Sequence, residues 1–119
     1  MADIQILRSG GIDINEGLAC CADDAEFYEE MLAEYITESK TGEEELDRFY
    51  TQQDWVRYGI RAHSVKSTSR MIGATSFSEI AREMEFAAKE GRFDEIIARH
   101  DAFTGEYRRL ADCIREALI

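Results

Sequence analysis

The chain has 119 residues, which fits one domain with a single core and no need for covalent staples. Apolar residues make up 45% and charged residues 33%, a globular rather than disordered balance, and the net charge is −11. That charge argues against general binding to nucleic acid or anionic membranes, and no apolar run approaches membrane-spanning length. There is no proline, so long uninterrupted helices are favoured. The N-terminus lacks a basic start followed by an apolar core and is not read as a signal peptide. Cys20, Cys21 and Cys113 form no metal-binding spacing and no even-numbered disulfide framework. They read as buried or incidental thiols of a cytoplasmic protein.

Taken in chain order, residues 1 to 12 look irregular and end at the Gly10-Gly11 break. Asp13 is a candidate N-cap for a short helix to about Cys21. Asp23 or Asp24 then caps a long helix to about residue 51, with Phe27, Tyr28, Met31, Leu32, Tyr35 and Ile36 at helical spacing and a bend expected at Gly42. Asp54 opens the next helix. Its apolar stripe is Trp55, Tyr58, Ala62, Val65, Ser69 and Ile72, and Gly73 stops it. Ser76-Phe77-Ser78-Glu79 has the form of a capping box and predicts the start of a helix with Ile80, Met84 and Ala87 or Ala88 inward, ending at Gly91. Phe93 or Asp94 begins the last helix, along which Ile96, Phe103, Tyr107, Leu110 and Ile114 align. The fold class expected is all-α: an antiparallel up-down-up-down four-helix bundle with a short N-terminal helix, residues 1–119 forming one domain with its core bundle at about 24–117.

Only two histidines are present. At ~100° per residue, His63 lies ~130° from the centre of the apolar stripe, Ser67 ~170° and Arg70 ~110°. His63 is therefore expected to be exposed, with Gly59, Lys66, Ser67 and Arg70 as its neighbours on the same helix. Gly59 and Ser67 are small, so another protein can approach the ring closely. Lys66 can reach phosphoryl oxygens on the ring as a point charge. Imidazole is nucleophilic near neutral pH, which suits a phosphoryl acceptor. From Trp55 to Ser78 there are four bases (Arg57, Arg61, Lys66, Arg70) and no acid, a patch suited to an acidic or phosphorylated partner. His100 falls at the seam of the last helix and reads as a partly buried packing residue.

The segment Ala62-His63-Ser64-Val65-Lys66-Ser67-Thr68-Ser69-Arg70-Met71-Ile72-Gly73-Ala74 strongly resembles the signature of histidine-containing phosphotransfer (HPt) domains. Gly11-Ile12-Asp13, Gly17-Leu18, Phe27-Tyr28, Met31-Leu32, Asp54-Trp55 and Tyr58 extend the resemblance over about residues 11 to 115. The resemblance implies that His63 is phosphorylated, that Lys66 stabilises the phosphoryl group, and that Ser67, often glycine in the family, keeps the ring accessible. It further implies response-regulator receiver domains and a histidine or hybrid kinase as partners, with magnesium held by the receiver. Gly59, Ser67 and Arg70 are the expected docking residues, on a monomer with no cofactor of its own. No nucleotide-binding loop is present, so the chain is not expected to make phosphohistidine from ATP. A rival from another class is a helical interaction module that docks on a receiver or kinase without phosphotransfer. A di-iron bundle lacks its Glu-x-x-His pairs, since Ile60 and Ile97 stand three residues before the histidines. A hydrolase built on Ser64 or a cysteine lacks a placed base.

Overall fold

The computed structural model describes residues 2–119, all of whose regular structure is helical. Six helices follow in order: α1 (Ile4–Ser9), α2 (Ile14–Cys20), α3 (Ala25–Thr51), α4 (Trp55–Met71), α5 (Thr75–Lys89) and α6 (Phe93–Ala117). The last four pack antiparallel as a bundle, each of α3 and α5 lying against both α4 and α6. The core of α3 is the line Tyr28, Leu32, Tyr35, Ser39, Gly42, Leu46, Phe49. Its alternating spacing of four and three is the seam of helices crossing at a shallow angle. Phe27 falls beside that seam and is exposed, contrary to its expected place in the stripe. α3 passes through Gly42 uninterrupted, and the missing side chain there admits the Tyr107 ring: a Cβ would lie 2.7 Å from its hydroxyl.

Aspartates set four of the helix starts. The carboxylates of Asp3, Asp13, Asp24 and Asp54 each accept from backbone N–H groups of the first turn they precede. Residues 4–9 are thus helical rather than irregular, because Asp3 caps them and Leu7 is buried. The capping box expected at Ser76 does not form. α4 ends at Gly73, whose φ of +86° suits glycine, and the chain turns so tightly that Ala74 is buried at the α5 N-cap. Ser76 is already inside α5, and Ser78 donates to the Lys66 carbonyl oxygen at 2.9 Å instead.

The N-terminal segment fastens the end of α4. The Asp13 N–H donates to the Gly73 carbonyl oxygen and the Tyr28 hydroxyl donates to that of Ile72, both at 2.8 Å. These carbonyls belong to the end of a helix, where no intrahelical donor exists. A Cβ on Gly73 would fall 2.0 Å from the Asp13 carbonyl oxygen, so the two segments are in backbone contact. The three thiols are free; Cys21 is buried, which pushes its pKa up, Cys113 is half-buried and Cys20 is exposed.

Candidate functional site

α4 turns its stripe of Tyr58, Ala62, Val65, Ser69 and Ile72 into the core. The 100° advance per residue then carries His63 outward, and 56% of its side chain is exposed. Gly59, one turn earlier, is buried: a Cβ there would stand 3.1 Å from that of Ala88. The expectation of an open landing place at Gly59 is corrected on this point. The glycine lets α4 and α5 approach, and that approach brings Glu85 of α5 under the histidine.

Glu85 is the residue that sequence reasoning missed. Its side chain is 1% exposed, and its carboxylate gathers three cationic or donor groups. Oε2 accepts from His63 Nδ1 at 2.9 Å and from Lys89 Nζ at 2.8 Å, while Lys66 Nζ stands 2.9 Å from Oε1. Burial alone raises a carboxyl pKa. Here bonds from Lys89, Lys66 and His63 outweigh it and hold Glu85 at about 2. An ionised carboxylate only accepts, so Nδ1 carries the hydrogen and the lone pair of the neutral ring sits on Nε2. Among the described residues Nε2 has no hydrogen-bond partner, on a side chain that is more than half exposed. The signal for Glu85 is its register. With Ala81 and Ala88 it forms an i, i+4, i+7 line on the packed face of α5, where a lone carboxylate demands a partner.

The other predicted residues divide. Lys66 is beside the ring, but its head is turned inward onto Glu85, with 25% of the side chain exposed. Ser67 is exposed, and its hydroxyl donates to the His63 carbonyl oxygen at 3.2 Å rather than to the ring. Arg70 is exposed two turns beyond His63. The basic patch read along α4 is smaller than expected. Arg61 points into the α3 interface, pairing with Glu38 at 2.9 Å and Glu45 at 3.5 Å, and Arg57 pairs with Asp54 at 3.6 Å. His63 also borders an apolar groove of about 450 Å³ between α4 and α5. Trp55, Val56, Ile60 and Ala88 line it, with Val56 76% and Ile60 63% exposed. Neither Val56 nor Ile60 lies on the expected stripe, so an apolar pair on the solvent side of a helix was the signal available for this surface.

His100 is more than a packing residue. It is fully buried and stacks on Tyr50 with centroids 4.0 Å apart. Nδ1 is 2.8 Å from the Tyr58 hydroxyl and Nε2 is 2.8 Å from Asp47 Oδ1. Both ring nitrogens are engaged, and the ring ties α3, α4 and α6 together.

Among the described residues no helix is long and apolar enough to cross a membrane. In comparison with known families, the chain matches the model described as "Hpt domain" over residues 30–117. The match contains His63, Lys66 and Glu85, and leaves α1 and α2 outside it. No curated protein and no solved structure gave a match.

Proposed function

The chain belongs to the Hpt domain family, a family of histidine phosphotransfer intermediates in phosphorelays that interact with receiver domains and kinases, and on that premise we propose that His63 is the residue that carries the phosphoryl group. One observation carries the reading: an exposed imidazole whose Nδ1–H is held by a buried, ionised carboxylate, leaving Nε2 free to attack. A receiver with an aspartyl phosphate docks over α4. The Nε2 lone pair forms a bond to phosphorus as the bond to the aspartate oxygen breaks, and the aspartate leaves as carboxylate. The ring becomes cationic in this step. Glu85, already aligned on Nδ1–H, stabilises that charge without having to reorganise. Lys66 and Lys89, both paired with Glu85, supply positive charge that can turn to the phosphoryl oxygens. The receiver supplies its own acidic pocket and magnesium. Reversal hands the group to a second receiver, and catalysis is positioning plus charge neutralisation.

The groove of Val56 and Ile60 is the docking surface in this reading, with Ser67 keeping the other side of the ring open. Large exposed aliphatics beside a reactive ring favour a protein partner over a small molecule in water. The experiment is transfer from a receiver preloaded with acetyl phosphate. Wild type takes up the phosphoryl group and His63→Gln does not. A partner that still binds and signals through His63→Gln would replace the carrier reading with that of an interaction module.

A further inference from the structure

A second, polar groove of about 390 Å³ opens past Lys66, on the side away from Trp55 and Val56. Ser67 and Arg70 of α4, Thr75 and Arg82 of α5, and Glu16 of α2 line it. Arg82 is paired with Glu79 at 3.7 Å. Arg70 is the one base of α4 without an ion-pair partner among the described residues, and Glu16 likewise has none. Both are exposed. Two unspent charges of opposite sign thus share a groove that begins at Lys66 and Ser67, one turn of α4 beyond the reactive ring.

Glu16 lies outside the matched family region, yet its position is firmly set. Its N–H donates to the Asp13 carboxylate at 3.1 Å, and Asp13 is itself bonded to Gly73. A Cβ on the neighbouring Gly17 would lie 2.6 Å from the Ile72 carbonyl oxygen, so α2 rests directly on the last turn of α4. The N-terminal segment therefore anchors the backbone that carries the exposed Glu16 carboxylate at the rim of the surface that a receiver would cover.

Resting on the carrier reading above, we propose that Glu16 and Arg70 are a specificity pair that selects among receivers. Arg70 takes a carboxylate presented by the receiver beside its phosphorylated aspartate. Glu16 takes a lysine or arginine next to it and repels a receiver with acids at both places. Rim charges of this kind act on encounter rate and on rejection of wrong partners more than on final affinity.

The test measures transfer rates from several acetyl-phosphate-loaded receiver domains to wild type, Glu16→Lys, Arg70→Glu and Arg70→Lys, at low and moderate salt. Charge reversal at Glu16 should change the rate ratio between the best and worst receivers by about tenfold, and Arg70→Glu should slow the best one by about tenfold, as rim charges do. Arg70→Lys should keep most of the rate. Labelling of Glu16→Lys by phosphoramidate, a donor too small to contact His63 and Glu16 at once, should match wild type. Rate ratios within twofold of wild type in both reversals would overturn the specificity pair while leaving the carrier intact. A wild type that accepts phosphoryl from neither the receivers nor phosphoramidate would overturn the carrier reading, and this inference with it.

Discussion

The two histidines make the same contact in opposite settings. At His63 the ring is 56% exposed and its carboxylate, Glu85, is 1% exposed; at His100 the ring side chain is 3% exposed and its carboxylate, Asp47, is 55% exposed. Each imidazole meets its acid within 2.9 Å. The difference lies in the second nitrogen. Tyr58 occupies it at His100, whereas at His63 it has no hydrogen-bond partner among the described residues. A histidine–carboxylate pair is thus a strut when both nitrogens are used and a candidate nucleophile when one is spare. Which it becomes is decided by which partner the helix packing buries.

The largest break in this contrast comes from exchanging each ring for an amide. His63→Gln should abolish phosphoryl uptake while costing about 1 kcal/mol or less of stability, because the side chain is exposed and Glu85 keeps Lys66 and Lys89 as partners. His100→Gln should do the reverse, still labelling at His63 but losing about 2–4 kcal/mol as Tyr58 loses its acceptor and Tyr50 its stacking partner. Thermal unfolding with intact-mass analysis after phosphoramidate treatment reads both at once. Equal stability losses in the two variants would dissolve the distinction.

Glu85→Gln is expected to come next. It keeps the shape of the side chain but removes the charge that balances the ring cation, and should slow transfer by about ten- to a hundredfold, the range of a lost charge-stabilising contact. The same substitution bears on acid stability. The folded pKa of Glu85 is about 2, below its ordinary value of 4.5, so its contribution is present above about pH 4.5 and is lost as pH falls toward 2. Wild type should therefore lose stability over that window more steeply than Glu85→Gln. Parallel pH profiles would mean that the carboxylate is not held by its three partners.

Lys66→Ala sharpens the account at the smallest scale. Read from the sequence alone, with its head exposed, Lys66→Ala slows transfer more than it weakens folding. Its pairing with a buried carboxylate changes that: the variant should lose about 1–2 kcal/mol as well as transfer rate. Lys89 makes the equivalent contact from the exposed surface, with 61% of its side chain exposed, so Lys89→Ala should cost less. Equal Tm values for wild type and Lys66→Ala would show that the ion pair adds nothing to the fold.

What was legible in the sequence is what a helix repeats. The stripe of α4 fixes by angle alone that His63 points outward and Ala62 and Val65 inward, and aspartates mark three starts: Asp13, Asp54, and one of Asp23 and Asp24, of which Asp24 is the cap. The illegible parts depend on a second helix. Gly59 reads as an opening until Ala88 is seen to fill it, and Arg61 reads as surface charge until α3 supplies Glu38 and Glu45. Glu85 belongs to the same class, since nothing within α5 says that the residue opposite its buried face is a histidine. The capping box at Ser76 failed for a local reason of the same kind, a turn shortened because Ala74 packs into the core.

The most direct measurement of the central claim is a long-range ¹H–¹⁵N spectrum of the histidine rings before and after phosphoramidate treatment. Before treatment, His63 should be the Nδ1–H form with its lone pair on Nε2. After treatment, only His63 should shift, with phosphorus on Nε2 and the hydrogen still on Nδ1. Phosphorylation at Nδ1, or on His100, would contradict the account, because the first would require breaking the bond to Glu85 and the second would need a nitrogen that the fold has already used.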